Sequence, residues 1–239
     1  MDLRAILFDL DGTLTKYSLD YKLSREKVIV ELNRLNLGKF SYTEKVSISI
    51  LLRRVEDKMS NGKYKQLLTL VNGIIEEYEV EAASQTNLMP FALEALTAVK
   101  KNDLKTAIVT NNGKAASSAV INRLNFGHLI DTIVTREDAE RWKPDGATIR
   151  EALRRLSIKP ANVIFIGDSI IDIQAAKDSN VISVALPTGP TNAKTLLQSE
   201  PDYAIPSLSE VPLLLEMLKP SYSKCRSYAV GSVSSAPHL

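Results

Sequence analysis

The chain opens on a short unbroken apolar run, Ala5-Ile6-Leu7-Phe8, that stops at Asp9-Leu10-Asp11-Gly12-Thr13-Leu14-Thr15. Apolar residues without alternation predict a strand buried on both faces, here over residues 4–9. From residue 15 to 86 the period changes. Apolar positions recur at helical spacing: Val28, Leu32 and Leu35; Val46, Ile50 and Leu51; then Leu67, Leu70, Val71, Ile74, Ile75 and Tyr78, with no proline. Three or four helices are expected, with Ser24 a candidate cap of the first and breaks at Gly38 and at Asn61-Gly62. About 70 residues without a strand signal exceed what one βα crossover uses, so the stretch reads as a separate helical insert.

After Pro90 the period alternates. Helix is expected over 91–101, with Leu93, Leu96 and Val99 inward, then strand over 104–109, helix over 115–124 and strand over 130–134. Helix over 144–156, with Pro144 as its first residue, is followed by strand over 163–166, helix over 170–179 and strand over 181–185. A short helix over 191–198, a weak edge strand over 203–205 and a last helix over 208–218 complete the series. Strands alternating with helices predict an α/β fold: a Rossmann-like parallel sheet with right-handed crossovers and helices on both faces. Residues 1–15 and 87–219 form the expected core, 16–86 the helical insert, and 220–239, with six serines, a flexible tail.

Composition narrows the chemistry. A chain of 239 residues, 44% apolar, has enough material for a sizeable core. The net charge is +2 and the basic residues are dispersed, which does not point to nucleic acid. A lone cysteine, Cys225, forbids an internal disulfide and a thiolate metal site, and His128 and His238 alone do not make a zinc site. No apolar run approaches a membrane span, and a strand starting by residue 4 leaves no room for a signal peptide, so a cytoplasmic protein is expected.

Polar clusters sit where predicted strands end, the edge at which open α/β sheets bind ligands. They are Asp9 and Asp11, Thr110-Asn111, Lys143-Pro144-Asp145, and Gly167-Asp168-Ser169 with Asp172 one helical turn on. Two carboxylates about 4 Å apart repel by roughly 4 kcal/mol at an effective dielectric near 20. A cation must offset this, or one acid must keep its proton. Lys143 supplies one positive charge, and the hard carboxylate oxygens of Asp9 and Asp168 suit Mg²⁺, with Asp172 placed to orient them. Thr110 and Asn111 offer a hydroxyl, an amide and backbone N–H groups to phosphate oxygens. One aspartate can attack phosphorus while the other moves the proton. Gly12 lets the backbone pass close to the site. Ser169 serves equally well as a helix cap, and Trp142 reads as packing.

In this order, Asp9-x-Asp11-Gly12-Thr13, Thr110-Asn111, Lys143-Pro144 and Gly167-Asp168-x-x-x-Asp172, the chain resembles the haloacid dehalogenase-like (HAD) hydrolase superfamily up to about residue 218. The resemblance implies that Asp9 is the nucleophile and a Mg²⁺ ligand. Asp11 would be the general acid/base and bind the metal through its backbone carbonyl. Thr110 would bind phosphate, Lys143 would stabilise the phosphorylated aspartate, and Asp168 would ligate Mg²⁺ with Asp172 supporting. An aspartate at position 11 resembles the phosphatase branch, and an insert placed after the first motif resembles the helical-cap class, as in phosphoglycolate phosphatases and β-phosphoglucomutases. Asn180 stands where such proteins commonly have glycine, and asparagine also tolerates the left-handed conformation of a helix end.

The expected function is a Mg²⁺-dependent phosphatase for a small phosphorylated metabolite. The alternatives are a β-phosphoglucomutase-like phosphotransferase and a non-catalytic phosphate-sensing module. Cap and core joined near residues 14–20 and 82–90 would open and close over the substrate. Among the basic residues of the insert, Lys22, Arg25, Lys45, Arg53, Arg54 and Lys58, one or two would reach a second anionic group of the substrate. Monomer and homodimer are equally compatible with the sequence.

Overall fold

The computed structural model describes residues 1–16, 21–41 and 46–219. The serine-rich tail with Cys225 and His238, Lys45, and part of the first linker lie outside them. Six parallel strands form one sheet: β1 (Ala5–Phe8), β2 (Lys105–Val109), β3 (Thr132–Val134), β4 (Val163–Gly167), β5 (Ile182–Ala185) and β6 (Tyr203–Ala204), in spatial order β3-β2-β1-β4-β5-β6.

β1 lies in the middle, and its four residues are fully buried, as an apolar run without alternation requires. Alternate residues feed two layers. Ile6 and Phe8 join Ile108, Ile164 and Ile166 beneath α4 (Ala92–Lys101), α5 (Lys114–Arg123) and α9 (Val211–Leu218). Ala5 and Leu7 join Ala107, Val109 and Phe165 beneath α6 (Ala147–Leu156) and α7 (Ile170–Asp178). Each fully buried large side chain contributes about 1.5–3 kcal/mol. The register sets the site: Phe8 is level with both Ile108 and Ile166, so Asp9, Thr110 and Asp168 leave the sheet along one edge.

A third cluster belongs to the insert. Val28, Ile29 and Leu32 of α1 (Tyr21–Arg34), Leu51, Leu52 and Val55 of α2 (Ile48–Glu56), and Leu67, Val71 and Ile75 of α3 (Asn61–Gln85) pack together. Trp142, from the other side of the chain, packs among them. The 25-residue α3 reaches beyond this cluster: Ala83, near its C-terminus, packs in the sheet-face layer, and Arg123 Nε donates to the Ala83 carbonyl at 2.9 Å. Among the described residues no helix is long and apolar enough to cross a membrane.

Four local expectations are corrected. Ser24 is not a cap; it is a buried residue inside α1, which already begins at Tyr21. The break before α3 falls at 57–60, with Ser60 extended at the N-cap, and Asn61-Gly62 form the first turn. Leu93 is 41% exposed, because α4 turns Ala92, Ala95, Leu96 and Val99 inward and the small alanines set the close face. Pro144 does not begin α6: the Lys143–Pro144 peptide is cis, Asp145 Oδ1 accepts from the Ala147 N–H, and the helix starts at Ala147. Asn180 has φ 56°, the left-handed conformation expected of it.

Candidate active site

Lys143 supplies the positive charge that the acids need. Its Nζ lies 2.6 Å from Asp9 Oδ1, 2.6 Å from Asp172 Oδ1 and 3.1 Å from the Val109 carbonyl, above the Phe165 ring. All three charged side chains are buried. Burial alone would lower the Lys143 pKa, but Asp172 and Asp9 outweigh it and hold the ammonium above the ordinary lysine value. Asp172 is fully committed: Oδ1 to Lys143, Oδ2 to the Ser169 N–H and hydroxyl in a capping box that starts α7. Ser169 is therefore the helix cap.

Asp168 follows β4, and its Oδ1 accepts from the Thr13 hydroxyl at 3.1 Å. One carboxylate oxygen each from Asp9, Asp168 and Asp172 lie within 4.8 Å of one another. Two glycines leave room for them. Gly12 has φ +88°, and a Cβ there would meet Asp168 Oδ2 at 2.6 Å; a Cβ at Gly189 would collide with the same atom. With all three acids ionised, three carboxylates against one ammonium would leave two uncompensated negative charges. All donors are hard oxygens, so the set fits a divalent cation such as Mg²⁺.

Asp11 stands apart from this cluster. Its Oδ2 accepts from the Asn112 amide at 2.7 Å and its Oδ1 from the Thr15 hydroxyl at 2.8 Å. Burial pushes its pKa up, against the pull of those two donors. Burial likewise pushes Asp9 up to about 7, despite Lys143, and Asp168 well above the ordinary carboxylate value.

Thr110 and Asn111 arrive at the same edge. Thr110 is buried, and its Oγ accepts from the Asn112 N–H at 3.0 Å. The Asn111 side chain is turned away from the role of phosphate donor: its Nδ2 donates to the Lys143 carbonyl and its Oδ1 accepts from the Lys143 N–H, both at 2.9 Å. The amide holds the backbone of the lysine, so Asn111 has only main-chain groups to give a phosphate. Thr13, Thr15 and Asn112 are partners of the acids that the sequence analysis does not single out, although Thr13 and Thr15 belong to the Asp9–Thr15 segment and Asn112 follows Thr110-Asn111 directly. Glu79 and Arg136, which brace the 110–113 loop, carried no local signal at all.

Above these residues is a cleft of about 430 Å³, with Asp9, Asp11 and Asp168 on one side and Arg25, Ser47 and Ile50 of the insert on the other. Of the described basic insert residues singled out from the sequence, Arg25 lines it.

The metal-free site predicts a pH-dependent stability. Folded Asp9, Asp11 and Asp168 hold protons more tightly than an unfolded chain does. Between pH 4 and 7 the folded state therefore binds more protons, and stability falls as pH rises. In EDTA the melting temperature is expected to drop by roughly 5–10 °C between pH 5 and pH 8, and Mg²⁺ to restore it at pH 8. A melting temperature that rises over this interval in EDTA, or is indifferent to Mg²⁺, would contradict the charge balance.

Comparison with known proteins agrees with this geometry. The family described as "Haloacid dehalogenase-like hydrolase" matches residues 6–186. The phosphoglycolate phosphatase of Nitrosospira multiformis is 24% identical over 220 residues, covering 90% of this chain and 97% of its own. The pyrophosphatase PpaX of Bacillus velezensis is 26% identical over 208 residues, covering 87% and 94%. Among solved structures, a predicted phosphoglycolate phosphatase from Haemophilus somnus superposes with a TM-score of 0.62 at 23% identity, covering 90% of this chain and 99% of that one. With its acids and lysine gathered at one edge of a parallel sheet and its match to the family across 6–186, the chain belongs to the haloacid dehalogenase-like hydrolases.

Proposed function

We propose that the protein is a Mg²⁺-dependent phosphatase acting on a small phosphorylated metabolite through a phosphorylated Asp9, in the manner of a phosphoglycolate phosphatase. The observation that carries this reading is the division of labour between two neighbouring aspartates. Asp9 is paired with a buried lysine beside the carboxylate cluster, while Asp11 is set apart on Asn112 and Thr15.

The Asp9 carboxylate attacks phosphorus; an O–P bond forms to Asp9 as the bond to the leaving oxygen breaks. Asp11, whose proton is held by burial, gives it to that oxygen. Asp11 then takes a proton from water as the water attacks phosphorus, and inorganic phosphate leaves with Asp9 regenerated. Lys143 stays charged throughout and balances the phosphorylated aspartate. The Thr110 hydroxyl and the main chain of the following loop receive phosphate oxygens. Asp9, Asp168 and the Asp11 carbonyl, with Asp172 in support, would hold Mg²⁺, which would supply positive charge to the phosphoryl oxygens. The helical insert forms the cap over the cleft, and with Arg25 it selects the substrate.

The test is phosphate release from phosphoglycolate, pyrophosphate and p-nitrophenyl phosphate, in Mg²⁺ and in EDTA. Release from at least one of them that EDTA abolishes is expected. A folded, Mg²⁺-loaded protein that releases none, and whose Asp9 is not trapped by beryllofluoride, would overturn the reading.

A further inference from the structure

Among the described residues the most deeply buried ion pair outside the acid cluster joins α3 to the segment that follows β3. Arg136 stands just after β3 and is 2% exposed; Glu79, on α3, is 5% exposed. Arg136 Nη1 lies 2.5 and 2.7 Å from the two Glu79 carboxylate oxygens, and its Nε donates to Asn72 Oδ1, also on α3, at 2.8 Å. The same pair grips residues 110–113. Arg136 Nη1 donates to the Asn111 carbonyl at 3.1 Å, and Glu79 accepts from the Gly113 N–H at 3.0 Å. The guanidinium also stacks over Trp142, the residue before Lys143, at 5.5 Å.

The gripped loop holds two groups of the site. Asn112 donates to Asp11, and Asn111 bonds the Lys143 backbone on both sides. We propose that Glu79 and Arg136 are positioning residues for phosphoryl transfer: through the 110–113 loop they set Asp11 and Lys143 from the cap helix α3. This inference rests on the phosphatase reading above.

A stabilising role alone explains the pair poorly. Buried ion pairs add little net stability over apolar residues of similar volume, because both charges lose their water. This one is also imperfect: among the described residues the buried Arg136 Nη2 has no hydrogen-bond partner. What the pair does provide is geometry. It fixes two main-chain groups of one loop, Asn111 C=O and Gly113 N–H, against one helix.

The experiment compares the wild type with the double variant Glu79→Leu/Arg136→Met, which replaces the pair by apolar side chains, and with Glu79→Gln, which keeps an acceptor for Gly113. Three readouts are taken: melting temperature, kcat and KM with Mg²⁺, and hydrogen exchange of the 110–113 amides. In the double variant, kcat falls by about 100-fold and KM by no more than a few-fold either way, the 110–113 amides exchange faster, and the melting temperature holds. In Glu79→Gln, which leaves the buried guanidinium without its charge partner, the melting temperature falls, while kcat and the 110–113 exchange change in the same direction with smaller amplitude; this variant decides the matter if the double variant does not fold. A stable variant with wild-type kcat would overturn the inference. So would a kcat loss that follows a general loss of stability without faster exchange at 110–113. A wild-type protein inactive on every phosphate compound would instead overturn the phosphatase reading.

Discussion

The Asp9→Asn protein is expected to lose at least about 10³-fold in kcat while becoming more stable in the absence of metal. The two effects have one cause. Asparagine keeps the shape of the side chain but is a poor nucleophile, so the O–P bond to residue 9 no longer forms. It also removes one of three buried carboxylates that share a single ammonium. Burial raises the Asp9 pKa to about 7, so at pH 8 the wild-type side chain is ionised against that cost. The neutral amide escapes it, and the melting temperature in EDTA at pH 8 rises. The gain is expected to shrink at pH 5, where the wild-type Asp9 already carries a proton. Phosphate release and melting curves at both pH values check this. An Asp9→Asn protein that is inactive and also less stable in EDTA at pH 8 would mean that the variant is merely damaged, and Asp9 would lose its claim to be the nucleophile.

The parts of this site that the sequence revealed are those in which one short segment carries both the fold signal and the chemistry. Ala5–Phe8 shows that β1 is buried on both faces, and Asp9 and Asp11 follow immediately, so the position of the acids is read together with the strand. The same holds for Val163–Gly167 with Asp168, where a capping box adds the role of Asp172. Lys143 reads from the sequence as the cation that holds the carboxylates, and the fold brings it to Asp9 and Asp172 across 134 and 29 residues. Glu79 and Arg136 were not visible at all. They are 57 residues apart, one reads as the polar residue of a helix, and only packing of α3 across the sheet's edge brings them together. Asn111 was recognised at the right place with the wrong use, since an amide beside a phosphate site looks the same in sequence whether it faces a ligand or a neighbouring backbone. The helix-end errors at Ser24 and Pro144 are of another kind. A serine near a helix start and a proline before one are each compatible with two phases, and the buried faces of α1 and α6 decide between them.

Removal of the lysine gives the opposite signature. In Lys143→Met the apolar stem over Phe165 is kept and the ammonium is lost. Asp9, Asp168 and Asp172 are then buried near one another with no cation, and Asp172 Oδ1 loses its partner at 2.6 Å. Breaking a buried charge pair by deleting one partner costs about 3–5 kcal/mol, which for a chain of this size is a fall of roughly 6–20 °C in melting temperature. The loss is expected in EDTA at pH 8, to be much smaller at pH 5, where protons replace the missing charge, and to be partly repaired by Mg²⁺ at pH 8. Repair of stability is not repair of activity. A divalent ion lowers the repulsion among the acids, but nothing then balances the phosphorylated aspartate at the position of Nζ, so kcat with Mg²⁺ is expected to remain about 10²-fold or more below the wild type. Melting curves with and without Mg²⁺ at the two pH values, beside phosphate release, separate these claims. An equal loss of stability at pH 5 and pH 8 would show that Lys143 acts through packing. Wild-type kcat in a metal-stabilised Lys143→Met protein would show that its charge serves the fold alone.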